Sequence, residues 1–471
     1  MGSVYDLIVI GSGPAGQRAA IYGAKLGKKV ALVEMREVVG GACINTGTIP
    51  SKALREAVIH LTGASKRGLF GESARVKRNI TIADLIYVSQ QVIHQERELI
   101  RTHFDRNNVE LLMGNAKFDS PKTLRVERPD DFEMISADYF VIGSGTRPAT
   151  PASVPFDEKT IFTSDGLLKL DHLPKTMIIV GGGVIGVEYA CMMSTLGVKV
   201  ILVEGRPEVL GFLDYEITEA FQYQMRRAGM TLRLGEKVAS IEHINSPTPG
   251  NGSAPKVQAT LESGKELQAE TLLYAVGRQG TTGALCLDKA GICADDRERL
   301  KVNENFQTTV PHIYAAGDVI GFPALASTAM EQGRLAVCHA FGVATCSMPE
   351  LFPYGIYAIP EISMVGKTEK QLTEAGIPYE AGVAQYSELA RGQLLGDETG
   401  MLKLLIHQTT GQILGVHAIG TGATELIHIG QAVMAFNGKV DYFINNVFNF
   451  PTLAEAYRVA ALNGLNKLRH V

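Results

Sequence analysis

Two glycine clusters share one spacing: Gly11-Ser12-Gly13-Pro14-Ala15-Gly16 and Gly181-Gly182-Gly183-Val184-Ile185-Gly186. Each follows an apolar run, Leu7-Ile8-Val9-Ile10 or Met177-Ile178-Ile179-Val180, and each precedes a helical stretch. In both copies an acid stands 23 residues after the first glycine, Glu34 or Glu204, at the end of a second apolar run. The first glycine of such a cluster (Gly11, Gly181) permits a tight turn. The second (Gly13, Gly183) lets the backbone approach a pyrophosphate, and the third (Gly16, Gly186) lets helix and strand pack closely. The helix start offers unpaired N–H groups and the positive end of the helix dipole to phosphates. The acid can hydrogen-bond a ribose diol. One cluster alone is weak evidence, but two in the same strand–turn–helix–strand setting predict two bound dinucleotides.

The elements that hold these clusters recur along the chain. Ile313-Tyr314-Ala315-Ala316-Gly317-Asp318-Val319 places a strand ending in Gly-Asp far from the first cluster. Val141-Ile142-Gly143-Ser144-Gly145-Thr146-Arg147-Pro148 and Leu272-Leu273-Tyr274-Ala275-Val276-Gly277-Arg278 are two further strands that run into small residues. This order predicts an α/β chain with two Rossmann-like domains. An FAD-binding domain starts over 1–150, an NAD(P)-binding domain is inserted over 151–277, and 278–347 returns to complete the first. Residues 348–471 are left for a C-terminal domain.

Taken together, these motifs resemble the two-dinucleotide flavoprotein disulfide reductases, the family of dihydrolipoamide dehydrogenase and glutathione reductase, over essentially the whole chain. The resemblance implies FAD on the first cluster, NAD(P)H on the second and Asp318 at the flavin ribityl or phosphate region. It adds Gly145, Gly277 and Ala326 to the cofactor-binding set. It also implies an α+β C-terminal dimerisation domain, opening near Pro360-Glu361-Ile362-Ser363-Met364-Val365-Gly366, and hence a homodimer. The family's redox centre reads G-G-x-C-x-x-x-x-C-x-P-S-K. Here the stretch is Gly40-Gly41-Ala42-Cys43-Ile44-Asn45-Thr46-Gly47-Thr48-Ile49-Pro50-Ser51-Lys52, with Thr48 in place of the flavin-proximal cysteine. A disulfide needs two sulfurs whose Cβ atoms lie about 4 Å apart, and Cys43 has no partner nearby in sequence. The family's His-Pro-Thr near the C-terminus is changed as well. The segment reads Phe448-Asn449-Phe450-Pro451-Thr452-Leu453-Ala454-Glu455, so Phe450 stands where the acid/base histidine would be. Phenylalanine carries no proton.

Both the electron relay and the proton relay of a disulfide reductase are thus absent, while the cofactor half is intact. By the resemblance, Lys52 is the lysine beside flavin N5, and Glu188, two residues after Gly186, is its usual partner acid. These two are the expected catalytic residues, with Cys43 and Thr48 counted among the cofactor contacts. At both departures, and in Glu455-Ala456-Tyr457-Arg458-Val459-Ala460-Ala461-Leu462-Asn463-Gly464-Leu465, the chain is similar to the soluble, Si-specific NAD(P)+ transhydrogenase subfamily. That likeness implies hydride exchange between NADP(H) and NAD(H), by a ping-pong route through the flavin. Glu204 favours a 2′-hydroxyl over a 2′-phosphate. Arg206 can offset this by gripping a phosphate. Yet Arg36 stands at the matching place in the FAD copy, so Arg206 can equally be inherited. The alternatives are an NAD(P)H diaphorase or oxidase acting on a quinone or oxygen, and a non-catalytic flavoprotein sensor.

Composition narrows the field further. At 471 residues the chain is too long for one core. A net charge of −4, with 20% charged and 45% hydrophobic residues, leaves no footprint for nucleic acid or an anionic membrane. No apolar run is long enough to suggest a membrane span. A strand pattern begins at Tyr5 and leaves no room for a secretory signal, so the cytoplasm is expected. Six cysteines (Cys43, Cys191, Cys286, Cys293, Cys338, Cys346) lack metal-ligand spacing, and no metal is expected. Their default reading is buried, reduced and small. His428 reads as a helix residue packed near the dimer interface. Asn245-Ser246-Pro247-Thr248-Pro249-Gly250-Asn251-Gly252-Ser253-Ala254-Pro255 reads as a loop between two strands of the NAD domain.

Overall fold

The computed structural model describes residues 3–244, 256–345 and 347–468. Its contacts form two compact units. One draws on residues 1–53, 86–149 and 277–349, the other on 54–85, 150–276 and 350–471. The Asn245–Pro255 stretch and Cys346 lie outside the described residues. No described helix is long and apolar enough to cross a membrane.

Among the described residues, the main sheet of the first unit has seven strands. Ser3–Ile10 lies between Val30–Glu34 and Phe132–Ile142 and is parallel to both. Glu110–Met113 and Ile313–Ala315 add parallel strands, on Val30–Glu34 and on Phe132–Ile142 respectively. Thr123–Glu127 and Asn115–Ser120 continue from Phe132–Ile142 as an antiparallel meander. Alternate residues of a strand face opposite sides of its sheet. Leu7, Val9, Val30 and Leu32 therefore pack with Ala19, Ala20, Leu335 and Ala336 of the helices Pro14–Lys25 and Ala326–Ala340. Ile8, Ile10, Ala31 and Val33 join Phe118 and Phe140 on the other face. Burial on both faces explains why these strands read as unbroken apolar runs.

The second unit repeats the plan. Thr231–Leu234, Lys199–Glu204, Thr176–Val180, Thr271–Tyr274 and Ile161–Phe162 form a parallel sheet in that order. Val238–Ile244, Lys256–Leu261 and Glu266–Ala269 make a separate antiparallel sheet. The C-terminal part is an antiparallel sheet, ordered Tyr354–Ile356, Ile362–Gly366, Ile413–Ile419, Met401–His407, Tyr379–Gln385. The helices Ala423–Ala435 and Glu455–Leu468 pack on it through Ile427, Val433, Tyr457 and Ala460. The whole is α/β, with two doubly wound nucleotide-type sheets and an α+β C-terminal part. The cysteine reading needs correction. Cys191 and Cys338 are buried on the helices Val184–Thr195 and Ala326–Ala340, but Cys43 and Cys286 are half-buried and Cys293 is exposed, because they lie in short helical turns and loops at the surface rather than on core-packed helices. His428 lies on the helix Ala423–Ala435 and is exposed in the single chain, its Nδ1 2.8 Å from Gln431 Oε1.

Candidate functional site

In the first glycine cluster the chain leaves the strand Ser3–Ile10, turns at Gly11 and enters the helix Pro14–Lys25. Gly11 has φ +98°, and a Cβ there would lie 2.5 Å from Gly143 O. A Cβ on Gly16 would lie 1.8 Å from Gly11 O. These two glycines are required by the protein's own packing. Gly13 is different, since a Cβ there would meet nothing nearer than Gly41 Cα at 4.0 Å. Pro14 starts the helix, where its missing N–H costs nothing. Glu34 is buried at the end of Val30–Glu34. It accepts hydrogen bonds from Ser12 N (2.9 Å), Ser12 Oγ (2.5 Å) and Arg36 N (2.9 Å). Ser12 Oγ in turn accepts from Gly40 N at 2.9 Å. The glycine turn is therefore tied to the segment that carries Cys43.

Cys43 sits in the short helix Gly41–Asn45, and Thr48 opens the helix Thr48–Thr62 that carries Lys52. Burial pushes the Cys43 thiol above its ordinary value. A hydrogen bond with Thr48 and the charge of Lys52 act the other way, while Asp318 and Glu96 reinforce burial. The structure thus gathers Cys43, Thr48, Lys52 and Asp318 into one neighbourhood. Lys52 Nζ lies 3.3 Å from Ser51 Oγ. Asp318 follows Gly317, whose N–H donates to Gln332 Oε1 at 2.8 Å. It accepts from Thr146 Oγ1 at 3.2 Å. Thr146 also receives Arg278 Nε at 2.8 Å. Gly145 (φ +68°) and Gly277 (φ +82°) have open space where a side chain would be. Ala326 is the first residue of Ala326–Ala340 and is partly exposed. The roles of Ser12 and Thr146 were not read from sequence. Each is a small hydroxyl residue beside a glycine, and only the fold reveals its partners.

The second cluster repeats the geometry. Gly181 has φ +110°, with a would-be Cβ 2.6 Å from Ala275 O, and a Cβ on Gly186 would lie 1.9 Å from Gly181 O. Gly183 precedes the helix Val184–Thr195, and a Cβ there would meet nothing within 4 Å. Glu204 is buried and accepts from Gly182 N (2.6 Å), Arg206 N (2.9 Å), Arg206 Nε (3.0 Å) and Arg206 Nη2 (3.1 Å). Burial pushes its carboxyl up, but the Arg206 guanidinium and the two backbone N–H groups outweigh this and hold it below the ordinary range. Glu188 is the one charged residue of Val184–Thr195. It is buried, and Tyr357 N donates to its Oε1 at 2.9 Å. Lys52 belongs to the first unit and Glu188 to the second. Phe450 is 67% exposed, five residues ahead of Glu455, the first residue of the helix Glu455–Leu468.

The residues present fit dinucleotides in both cradles. In each, the first and third glycines are filled by the protein itself, whereas the second leaves the helix start bare to an approaching phosphate.

Comparison with known proteins agrees with this geometry. Residues 5–333 match the pyridine nucleotide-disulphide oxidoreductase family, and residues 352–461 match the dimerisation domain of that family. A soluble pyridine nucleotide transhydrogenase of Mycobacterium tuberculosis is 53% identical over 99% of this chain and 98% of its own length. One of Escherichia coli is 45% identical over 98% of each. Among solved structures, the HOCl-induced flavoprotein disulfide reductase RclA of Escherichia coli, in its Cu(II) complex, superimposes with a TM-score of 0.87. It is 27% identical, over 98% of this chain and 99% of that one. The chain belongs to the pyridine nucleotide-disulphide oxidoreductase family.

Proposed function

We propose that this protein is an FAD-dependent soluble pyridine nucleotide transhydrogenase, which exchanges hydride between NADP(H) and NAD(H) without a redox-active disulfide. One observation carries the reading. Both dinucleotide cradles are complete, while the second sulfur and the acid/base of a disulfide reductase are replaced by Thr48 and Phe450. The near full-length relatives that bear the transhydrogenase name support it. The family uses a flavin and a nicotinamide nucleotide, and FAD is our assignment for the flavin.

FAD would be held by Gly11, Gly13, Gly16 and Glu34, with Cys43, Thr48, Gly145, Gly277, Asp318 and Ala326 as further contacts. Gly181, Gly183, Gly186, Glu204 and Arg206 would hold the nicotinamide nucleotide. When bound, FAD supplies a two-electron hydride acceptor and donor. The protein's own part is orientation and charge. The backbone N–H groups after Gly13 and Gly183 fix each pyrophosphate. The Lys52 ammonium offers positive charge where negative charge develops. Glu188 is a carboxylate locked by burial and by the Tyr357 N–H. The FAD-binding domain is assigned to 1–150 and 278–347, the NAD(P)-binding domain to 151–277 and the dimerisation domain to 348–471. Phe436, Val447 and Phe450 are large exposed apolar residues in the last of these, as a homodimer contact requires. A cytoplasmic location accords with the substrates.

The test is anaerobic. FAD-loaded protein is mixed with NADPH and thio-NAD+, and thio-NADH is followed by its distinct absorbance. Turnover with parallel double-reciprocal lines is expected. Flavin bleaching without any thio-NADH would refute transhydrogenation and leave a diaphorase.

A further inference from the structure

The two cradles differ at one corner, and the difference bears on how a single ribose site could serve two nucleotides. This inference rests on the transhydrogenase reading. An ionised carboxylate offers about four lone-pair sites. Glu34 has three donors: Ser12 N and Ser12 Oγ on Oε2, and Arg36 N on Oε1. One lone pair on Oε1 stays open to a ribose hydroxyl. Glu204 has four donors: Gly182 N and Arg206 Nη2 on Oε2, and Arg206 N and Arg206 Nε on Oε1. Its capacity is full.

Two of those four donors are backbone N–H groups fixed by the fold. The other two belong to one guanidinium, and the Arg206 side chain is 56% exposed against 10% for Glu204. The guanidinium is the only donor able to leave. Beside it the Lys237 side chain lies over Gly205, its Cγ 3.2 Å from the place a Cβ would occupy. Lys237 is exposed and makes no ion pair among the described residues. With the guanidinium turned outward, this corner would present two cations on the solvent side of one carboxylate. A phosphomonoester carries about 1.5 to 2 negative charges at neutral pH, which such a pair matches.

We propose that Glu204 and Arg206 form a two-position latch that lets one ribose site accept either a free 2′-hydroxyl or a 2′-phosphate. For NAD(H), the guanidinium swings off and the vacated lone pairs of Glu204 accept the diol. For NADP(H), the same movement delivers Arg206, with Lys237 behind it, to the 2′-phosphate. Arg206 therefore competes with one nucleotide and binds the other, and its removal has opposite effects on the two.

Equilibrium binding of NAD+ and NADP+ to the oxidised, FAD-loaded enzyme tests this without turnover, since no hydride moves between oxidised partners. Titration calorimetry on Arg206→Ala should show NADP+ affinity reduced roughly tenfold to a hundredfold, the scale of a lost charge-assisted contact. NAD+ affinity should rise. Arg206→Lys should recover part of the NADP+ loss, because charge is kept and the bidentate grip is not. Lys237→Ala should weaken NADP+ alone and by less. Both positions are solvent-facing, so an unchanged thermal midpoint verifies the fold. The latch is overturned if Arg206→Ala weakens both nucleotides in proportion or leaves both unchanged. These outcomes are separable from the parent reading. Wild-type protein that never reduces thio-NAD+, yet shows the opposed affinity shifts, would sink the transhydrogenase assignment and leave the latch standing. Brisk turnover with an indifferent Arg206→Ala would do the reverse.

Discussion

Cys43 keeps the position of a reactive thiol but not its surroundings. Thiolate, not thiol, is the nucleophile, and burial holds the Cys43 thiol above its ordinary value despite the Lys52 charge and the Thr48 hydroxyl nearby. Lys52 is in the opposite situation, a cation with a proposed electrostatic task. The two substitutions should therefore separate. Cys43→Ala should leave hydride transfer near the wild-type rate, and native Cys43 should alkylate slowly at pH 7. Lys52→Met should slow flavin reduction by about 10²–10³, the scale for removing one preorganised electrostatic contact. Stopped-flow bleaching of the flavin checks both, and a large loss in Cys43→Ala would restore a redox role for that sulfur. At this scale the sequence was most informative where spacing alone carries meaning. Gly11, Gly16, Glu34 and their counterparts sit at fixed offsets, and Thr48 and Phe450 stand out against a fixed pattern. Ser12 and Thr146 were opaque because a hydroxyl's partners depend on the fold. The fourth donor on Glu204 was opaque because it depends on where one long side chain turns.

Elements explain why the three glycines of a G-x-G-x-x-G turn are not equivalent. A Cβ on Gly186 would lie 1.9 Å from Gly181 O, whereas one on Gly183 would meet nothing within 4 Å. Gly186→Ala must push the helix Val184–Thr195 off the strand Thr176–Val180, a strain of the kind that costs about 1–3 kcal/mol or more. Its thermal midpoint should fall. Gly183→Ala should fold with an unchanged midpoint and lose nicotinamide affinity, because its methyl occupies the approach to the helix start. Thermal unfolding and calorimetry on the same two proteins check the split, and a matched loss of stability in Gly183→Ala would show that glycine to be structural. The strand–turn–helix–strand units were legible because apolar runs, glycines and acids repeat in order. The antiparallel strands Asn115–Ser120 and Thr123–Glu127 are not legible in the sequence, and of the separate antiparallel sheet the sequence marks only the two strands flanking Asn245–Pro255 and not Glu266–Ala269, since half-exposed strands alternate weakly. Nor did any pattern mark residues 54–85 as part of the second unit. That grouping depends on tertiary contacts such as Arg55 Nε to Ala358 O at 2.9 Å and Arg55 to Glu361 at 3.1 Å.

For the molecule as a whole, stability turns on a charge cluster built around a buried Lys403–Asp214 pair, which no motif announces. Lys403 lies in the strand Met401–His407 with no solvent exposure, and its ammonium bonds Asp214 (2.8 Å), Glu216 (2.8 Å) and Glu369. Asp214 precedes the helix Tyr215–Arg227 and also accepts from Glu369 N at 3.1 Å. The cluster thus ties the nucleotide-type sheet of the second unit to its C-terminal sheet. Burial alone would push Lys403 down, but the three carboxylates reverse this and raise it. Asp214 is pushed up by burial, yet His417, Lys403 and the Glu369 N–H bring it below the ordinary carboxylate value. Lys403→Met would leave Asp214 buried without its counter-charge, at a cost of about 3–5 kcal/mol, and the thermal midpoint should drop accordingly. His417 faces the same cluster. It is buried, its Nε2 lies 3.0 Å from Lys367 O, and its Nδ1 has no hydrogen-bond partner. Burial lowers it, and Asp214 and Glu369 only partly oppose this. The signs then follow by linkage. A histidine lowered in the fold contributes stability above its unfolded value near 6.5 that is lost as pH falls below it. The depressed Asp214 contributes stability above about pH 4 that is lost at more acid pH, and the raised Lys403 contributes below about pH 10.4 and loses it above. The thermal midpoint should therefore decline in two stages on acidification, the first setting in as pH falls below about 6.5. His417→Gln should abolish that first stage while keeping the second. If the first stage persists unchanged in His417→Gln, another group governs it, and the cluster would be held by Lys403 and its carboxylates alone.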